Sequence, residues 1–348
     1  MTDIIKLARP FVARQLKHDE AQSEANTKSQ DCICLDGGVN PFNSPYNVLP
    51  TAADIAETEA QAAKALGINP DYLCLTCGGE AGFDLLLRTF CTPSRDNIIV
   101  AAQSAKRYRH CADINDVEVR EVSFGEDLKP HFHDFNRCIG PRTKLIVAGA
   151  PAFPVGTMPS VDFIRQTAET FEGLTVLDTT FASLKDQTEL TRLISSLPRL
   201  VVMGSFASNL ASAGLQLHYL IGRREVVDCL RVVTPTHHLP KPVMDEAKRI
   251  LTTHRFDADK WQTWISGEKL KVMSAIANLP YCKTVVPSSA NFFMVRFNNV
   301  DALLEFLQAE GIIVKDCRHL PLCSDCIALT IGRKEDNNRL LSALRRFA

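Results

Sequence analysis

The residue types most able to do chemistry fall into two groups. The first is ligand-like. Two Cys-x-x-Cys pairs, Cys74/Cys77 and Cys323/Cys326, each have the spacing of half a zinc site. His131-x-His133 and His237-His238 have ligand spacings too, but lack thiol or acidic partners of known geometry and read as surface residues. The thiol pairs lie far apart in sequence, and Cys74 falls mid-strand by pattern. Reduced thiols are therefore the expectation, with zinc the alternative and no metal assigned.

The second group is three loops. Cys77-Gly78-Gly79-Glu80 opens a helix, where backbone N–H groups without intrahelical partners can cradle a phosphate; a plain helix start is the simpler reading. Asp178 ends an apolar strand, where a buried carboxylate needs a partner. Ser205-Phe206-Ala207-Ser208-Asn209 is a small, polar turn that can bind phosphate or merely reverse the chain. No Walker loop, Gly-x-Gly-x-x-Gly, His-Glu-x-x-His or Gly-x-Ser-x-Gly occurs.

These residues must be positioned by alternating elements. The pattern predicts a first helix or arm over 4–24, an ordered loop over 36–45 and a helix over 51–66. Strands are then expected at 72–75, 97–101, 117–122, 144–148, 174–178, 199–204 and 217–222, with helices at 80–90, 105–115 and 161–172. Such alternation implies an α/β layered domain with a mainly parallel sheet, which binds ligands at the carboxyl ends of its strands. The Pro-rich run 234–242 reads as a boundary. Beyond it a long helical segment from Val243, strands near 284–287, 291–295 and 327–331, and helices at 300–310 and 335–347 form a smaller α+β domain.

The chain has 348 residues, 45% hydrophobic and 23% charged, with a net charge of −1. That is long enough for two domains without staples. It supplies no global field for nucleic acid or anionic membrane. No apolar run reaches the roughly 18 residues of a spanning helix. The start, Met1-Thr2-Asp3, lacks the basic-then-apolar layout of a signal peptide. With 12 scattered cysteines, a cytoplasmic protein with free thiols is expected.

The loops in this order resemble the histidinol-phosphate aminotransferase family, fold-type I proteins that use pyridoxal 5′-phosphate (PLP). The likeness runs from about Leu7 to Leu344. It is strongest at Leu35-Asp36-Gly37-Gly38-Val39-Asn40-Pro41-Phe42-Asn43-Ser44-Pro45-Tyr46-Asn47, Cys111–Val119, Thr143–Ile146, Ala213-Gly214-Leu215 and Pro287-Ser288-Ser289-Ala290-Asn291-Phe292. The resemblance implies a large PLP-transferase-like domain with a mixed, mainly parallel sheet (51–235) after an arm and loop (1–50). A small α+β domain (236–348) and a homodimer with sites at the subunit boundary complete it.

The same resemblance locates the site, and there the chain departs from the pattern. The family's Schiff-base lysine position carries Ser208, and the phosphate-holding arginine position carries Gln216. Phe153 stands for the asparagine beside the PLP hydroxyl, Ala105 for the ring-covering aromatic and Phe181 for a tyrosine. Leu49 stands for the tyrosine that reaches the partner's phosphate, and Ala328 for the arginine that clamps the substrate. Asp178, the pyridine-nitrogen partner in the family, is retained, as are Asn40, Gly78, Ser205 and Tyr108; Gly79 and Glu80 replace the usual Ser-Asp.

A serine hydroxyl cannot form an imine or shuttle the transamination proton. Gln216 brings no charge and no bidentate fork. The changes run from polar to small or apolar, as expected of a pocket relieved of groups that would be unsatisfied without a cofactor, each costing about 1–3 kcal/mol. The leading expectation is a binding or regulatory homologue without transaminase activity, with no covalent PLP and at most non-covalent PLP. Its partners are expected to be a second copy and a small-molecule or phosphate-bearing ligand. The alternatives are a histidinol-phosphate-type aminotransferase using another lysine, and an enzyme with new acid–base chemistry at Asp178, Glu80, Cys77 and His218.

Overall fold

The structure, a computed structural model, describes residues 4–22, 38, 40, 42, 44 and 46–347. Most of the expected loop over 36–45 therefore lies outside the described residues. The strands are β1 (Leu73–Cys77), β2 (Asn97–Ala101), β3 (Glu118–Val122), β4 (Thr143–Gly149), β5 (Leu174–Asp178), β6 (Leu200–Ser205), β7 (Leu217–Ile221), β8 (Cys282–Val285), β9 (Phe292–Phe297), β10 (Lys315–Asp316) and β11 (Cys326–Thr330). The helices are α1 (Pro10–Gln22), α2 (Ala52–Leu66), α3 (Gly79–Phe90), α4 (Ala105–Ile114), α5 (Phe132–Arg137), α6 (Val161–Thr170), α7 (Leu184–Arg192), α8 (Arg224–Val233), α9 (Lys241–Thr253), α10 (Arg255–Ala277), α11 (Val300–Ala309) and α12 (Lys334–Arg346).

Seven strands form one sheet in the order β1-β7-β6-β5-β4-β2-β3. β7 runs antiparallel to both its neighbours, and the other pairings are parallel. Alternate strand residues feed two cores. Leu73, Ile99, Ile146, Leu177 and Val202 face one side; Cys74, Ile98, Val147, Val176 and Val201 face the other. Burial of both faces is what a near-continuous apolar strand such as Leu145–Ala148 encodes. A second, antiparallel sheet, β10-β11-β9-β8, packs with α10, α11 and α12 around Phe293, Phe297, Leu303 and Leu344.

α2 begins with a capping box, Thr51 and Asp54 each bonding the other's backbone N–H. It ends at Gly67 in the left-handed conformation. Glu59, on its buried side, reaches the free rim of β1: its Oε1 accepts from the Leu75 N–H at 3.1 Å. Arg231 of α8 donates to Glu59 Oε2 at 3.1 Å and to the Leu73 carbonyl at 3.3 Å.

The sequence pattern missed α5, α7 and α8, whose polar faces mask their apolar stripes. The helical run expected from Val243 is two helices, α9 and α10, which meet at His254. There the imidazole Nδ1 donates to the Leu210 carbonyl at 3.0 Å and ties the break to the large sheet's loops. α9 starts within the Pro-rich run 234–242, and its Met244, Ala247 and Ile250 are buried in the core that holds Leu66.

Candidate functional site

The carboxyl ends of β1, β4, β5 and β6 converge on one rim of the sheet. Asp178 ends β5 and is 4% exposed. Its Oδ1 accepts from the Thr180 N–H at 3.0 Å and from the Thr180 hydroxyl at 2.5 Å. Its Oδ2 accepts from the Tyr108 hydroxyl at 2.9 Å and faces Arg107 Nε at 3.4 Å. Burial, then the Asp178 charge, push the Tyr108 phenol well above its usual pKa. Burial, the largest influence on Arg107, opposes its charge, but the negative charges of Asp178, Tyr108 and Glu80 together outweigh it and raise the guanidinium's pKa. The carboxylate expected to need a partner thus has four, all from this chain.

Arg107 comes from the first turn of α4, in which Ala105 and Tyr108 form the buried face. Its guanidinium carbon lies 5.3 Å from the centroid of the Phe181 ring, and Nη2 donates to Thr180 Oγ1 at 3.3 Å. Phe181 stacks on Phe153 at 5.2 Å, and both meet Phe292 edge-on at 5.3 and 5.2 Å. Phe153 therefore belongs to an apolar ring cluster beside Arg107. Its loop is reached through Gly149, where a Cβ would stand 2.6 Å from the Ala152 backbone.

α3 is preceded by its cap residue Gly78, whose φ of +98° only glycine adopts without strain. The Gly78 N–H donates to the Gln216 carbonyl at 2.7 Å. Gln216, itself left-handed, folds its amide back on the Ala213 carbonyl at 2.8 Å. A cavity of about 540 Å³ opens at this helix start, lined by Cys77, Gly78, Gly79, Glu80, Arg107, Gln216 and His218 among others. Cys77, Glu80 and His218, flagged from sequence, are thus brought together. His218 of β7 is 6% exposed, and its Nδ1 has no hydrogen-bond partner among the described residues.

Burial lowers the pKa of His218, and that of His238 likewise. Their folded pKa values lie below the unfolded ones. On acidification through about pH 6.5 the unfolded chain takes up protons that the folded chain refuses. Stability is then present above that range and lost as pH falls through it. Urea midpoints should drop between about pH 7.5 and about pH 5.5, and His218→Gln with His238→Gln should flatten the slope. An unchanged slope in the double variant would refute the assignment.

The other expected site residues are accounted for as follows. Ser208 is exposed, and its hydroxyl donates to the Thr180 carbonyl at 3.2 Å. Ser205 is buried, with Oγ accepting from the Ala207 N–H at 3.0 Å. Ala105 is buried against α4's own core, and Ala328 pairs with Met294 within the small sheet. Asn40 is exposed; its Oδ1 accepts from the Phe42 N–H at 3.0 Å, and its carbonyl from Asn47 Nδ2 at 2.6 Å. Its hydrogen bonds stay in its own segment and do not reach the Asp178 cluster. Sequence reasoning missed Arg107, Thr180 and Gln187. The signal for Arg107 was present: a carboxylate buried at the end of an apolar strand calls for a cation or donors close by, and Arg107 stands next to Tyr108.

The thiol pairs do not meet. In β1, Cys74 is buried and Cys77 exposed, whereas Cys323 and Cys326 lie buried beside Met294 in the small-sheet region. Among the described residues no three His, Cys, Asp or Glu side chains form a metal-holding group.

A mixed seven-stranded sheet with one antiparallel strand, a small second sheet, and an aspartate facing a helix start define the fold-type I PLP aminotransferase architecture. The sequence profile of "Aminotransferase class I and II" matches residues 42–344, and the chain belongs to that family. It is 26% identical to the histidinol-phosphate aminotransferase of Bacteroides fragilis over 347 residues, covering 100% of both chains. It superposes on the histidinol-phosphate aminotransferase of Clostridium acetobutylicum with a TM-score of 0.77 at 17% identity, covering 86% of this chain and 90% of that one. The Sinorhizobium meliloti enzyme, solved in complex with pyridoxal-5′-phosphate, gives 0.77 at 13% identity, covering 98% and 88%.

Proposed function

We propose that this chain is a binding or regulatory homologue of the histidinol-phosphate aminotransferases that does not transaminate and takes up PLP at most non-covalently. The observation that carries the reading is Ser208, which stands where the family places its imine-forming lysine and spends its hydroxyl on the Thr180 carbonyl. Supporting it, the family's cofactor does not fit the groups present. Asp178 has its four partners already, Phe153 and Phe181 fill the ring edge, and Gln216 bonds its own turn. The ligand proposed is a small, phosphate-bearing molecule at the α3 start, where N–H groups and the helix dipole favour an anion. The assembly proposed is a homodimer, consistent with the exposed apolar side chains of Phe42, Tyr46, Val48 and Leu49. A cytoplasmic location, argued from the scattered cysteines, is part of the same proposal.

One observation favours the second reading, transamination through another lysine. Lys269 of α10 is 8% exposed, and burial lowers its pKa. It donates to the carbonyls of Ser288 and Ala290, close in sequence to Phe292. Lys185 and Lys241 are instead engaged in ion pairs on the surface side of α7 and α9. The test is PLP addition, borohydride reduction and peptide mapping, alongside turnover with histidinol phosphate and 2-oxoglutarate. We expect no pocket lysine to be labelled and no turnover above a heat-killed control. A pyridoxyl group on Lys269, or turnover, overturns the proposal.

A further inference from the structure

We infer that Arg107 is the built-in occupant of this pocket: its guanidinium supplies the planar cation that Asp178 faces, and so keeps a free pyridine ring out. The inference rests on the non-transaminating reading and deepens it, by naming what fills the site and which ligand class it turns away. Four observations place the group. Nε lies 3.4 Å from Asp178 Oδ2. Nη2 donates to Thr180 Oγ1 at 3.3 Å. The Phe181 ring lies beneath the guanidinium at 5.3 Å. On the remaining side a Cβ at Gly79 would come 3.2 Å from Nη2, so the helix start closes down on it.

A carboxylate, an aromatic face and a hydroxyl are the groups that would receive a flat, protonated heterocycle. Here they receive a side chain tethered to α4. Arg107 need not be brought from solution, so a free ligand must displace a group already at high local concentration. The same residue is not explained as a surface ion pair, because Asp178 is 4% exposed and the arginine side chain 24%.

The probe is pyridoxine 5′-phosphate, whose lack of an aldehyde prevents imine formation with surface lysines. Binding is measured by equilibrium dialysis on the full chain. The wild type and Arg107→Lys, which keeps the cation, should show no saturable binding at the pocket. Arg107→Met should bind it saturably, at a concentration about tenfold or more below the highest at which the other two show none, the size of one pKa unit of electrostatic interaction. Equal binding by wild type and Arg107→Met, or weaker binding by Arg107→Met, overturns the inference. A second measurement needs no gain of binding: the Arg107 Nε–H resonance of the wild type, assigned by its loss in Arg107→Lys. We expect it shifted and slow to exchange, and exchange at the rate of a free guanidinium overturns the inference as well. Turnover or a labelled lysine in the wild type would instead refute the non-transaminating reading, so the two failures are distinguishable.

Discussion

Replacing Asp178 by alanine should destabilise the fold by about 3–5 kcal/mol, the cost of breaking a buried pair from one side. The carboxylate accepts three hydrogen bonds and faces one guanidinium. Without it the Tyr108 hydroxyl, on a side chain 2% exposed, loses its acceptor, and Arg107 loses its counter-charge in a pocket that shields it from water. Asp178→Asn keeps the shape and one acceptor, and should cost less. Urea unfolding followed by far-UV circular dichroism reads both. A protein that holds this aspartate in readiness for a cofactor would tolerate the change in its folding and lose function instead. A shift of Asp178→Ala within about 0.5 kcal/mol, as at ordinary surface positions, would mean that the cluster contributes little to the fold.

The second large effect is expected at Gln187. Its side-chain amide is fully buried on α7 and donates from Nε2 to the carbonyls of Thr179, Ala182 and Ser205, at 3.1, 3.1 and 3.2 Å. Its Oε1 accepts from the Tyr219 hydroxyl of β7. One side chain therefore joins the segment after β5, the end of β6 and the antiparallel strand. Gln187→Leu, close in volume, strands the buried Tyr219 hydroxyl and the Ser205 carbonyl at about 1–3 kcal/mol each, while the Thr179 and Ala182 carbonyls keep donors in the Ala182 N–H and Asn209 Nδ2. We expect a loss of about 3 kcal/mol or more. Adding Tyr219→Phe removes the stranded hydroxyl and should recover part of it, a coupling that a double-mutant cycle isolates. Strict additivity of the two changes would show that the bond carries no energy.

Much of the architecture was legible because apolar runs and turn residues report it directly. β2 and β5 have the predicted bounds, Asn97–Ala101 and Leu174–Asp178. α2 was marked by Thr51 and its apolar spacing. Helices such as α7, with Leu184-Lys185-Asp186-Gln187, carry too many polar residues for pattern alone to distinguish them from loops. At the site, Asp178, the helix start at Gly78 and the turn at Ser208 were visible because each closes or opens an element. Arg107 and Gln187 were not. Their partners lie 71 and 32 residues away in the cases of Asp178 and Tyr219, and only the completed sheet brings them together. A charged residue two positions beyond Ala105 on a helix looks solvent-facing until the strand end that neutralises it is in place.

The clasp of Glu59 and Arg231 over β1 has a bearing on how copies of this chain can meet. A lateral strand offers unpaired amides and carbonyls to any passing polypeptide. Here the Leu75 amide and Leu73 carbonyl are already taken. The opposite margin, β3, bristles with Glu118, Arg120 and Glu121, tied to Arg142 and Arg109. Neither border of the large sheet invites a neighbour to extend the ribbon, so templated growth from it is discouraged, and a union on this sheet's flanks falls to side-chain surfaces.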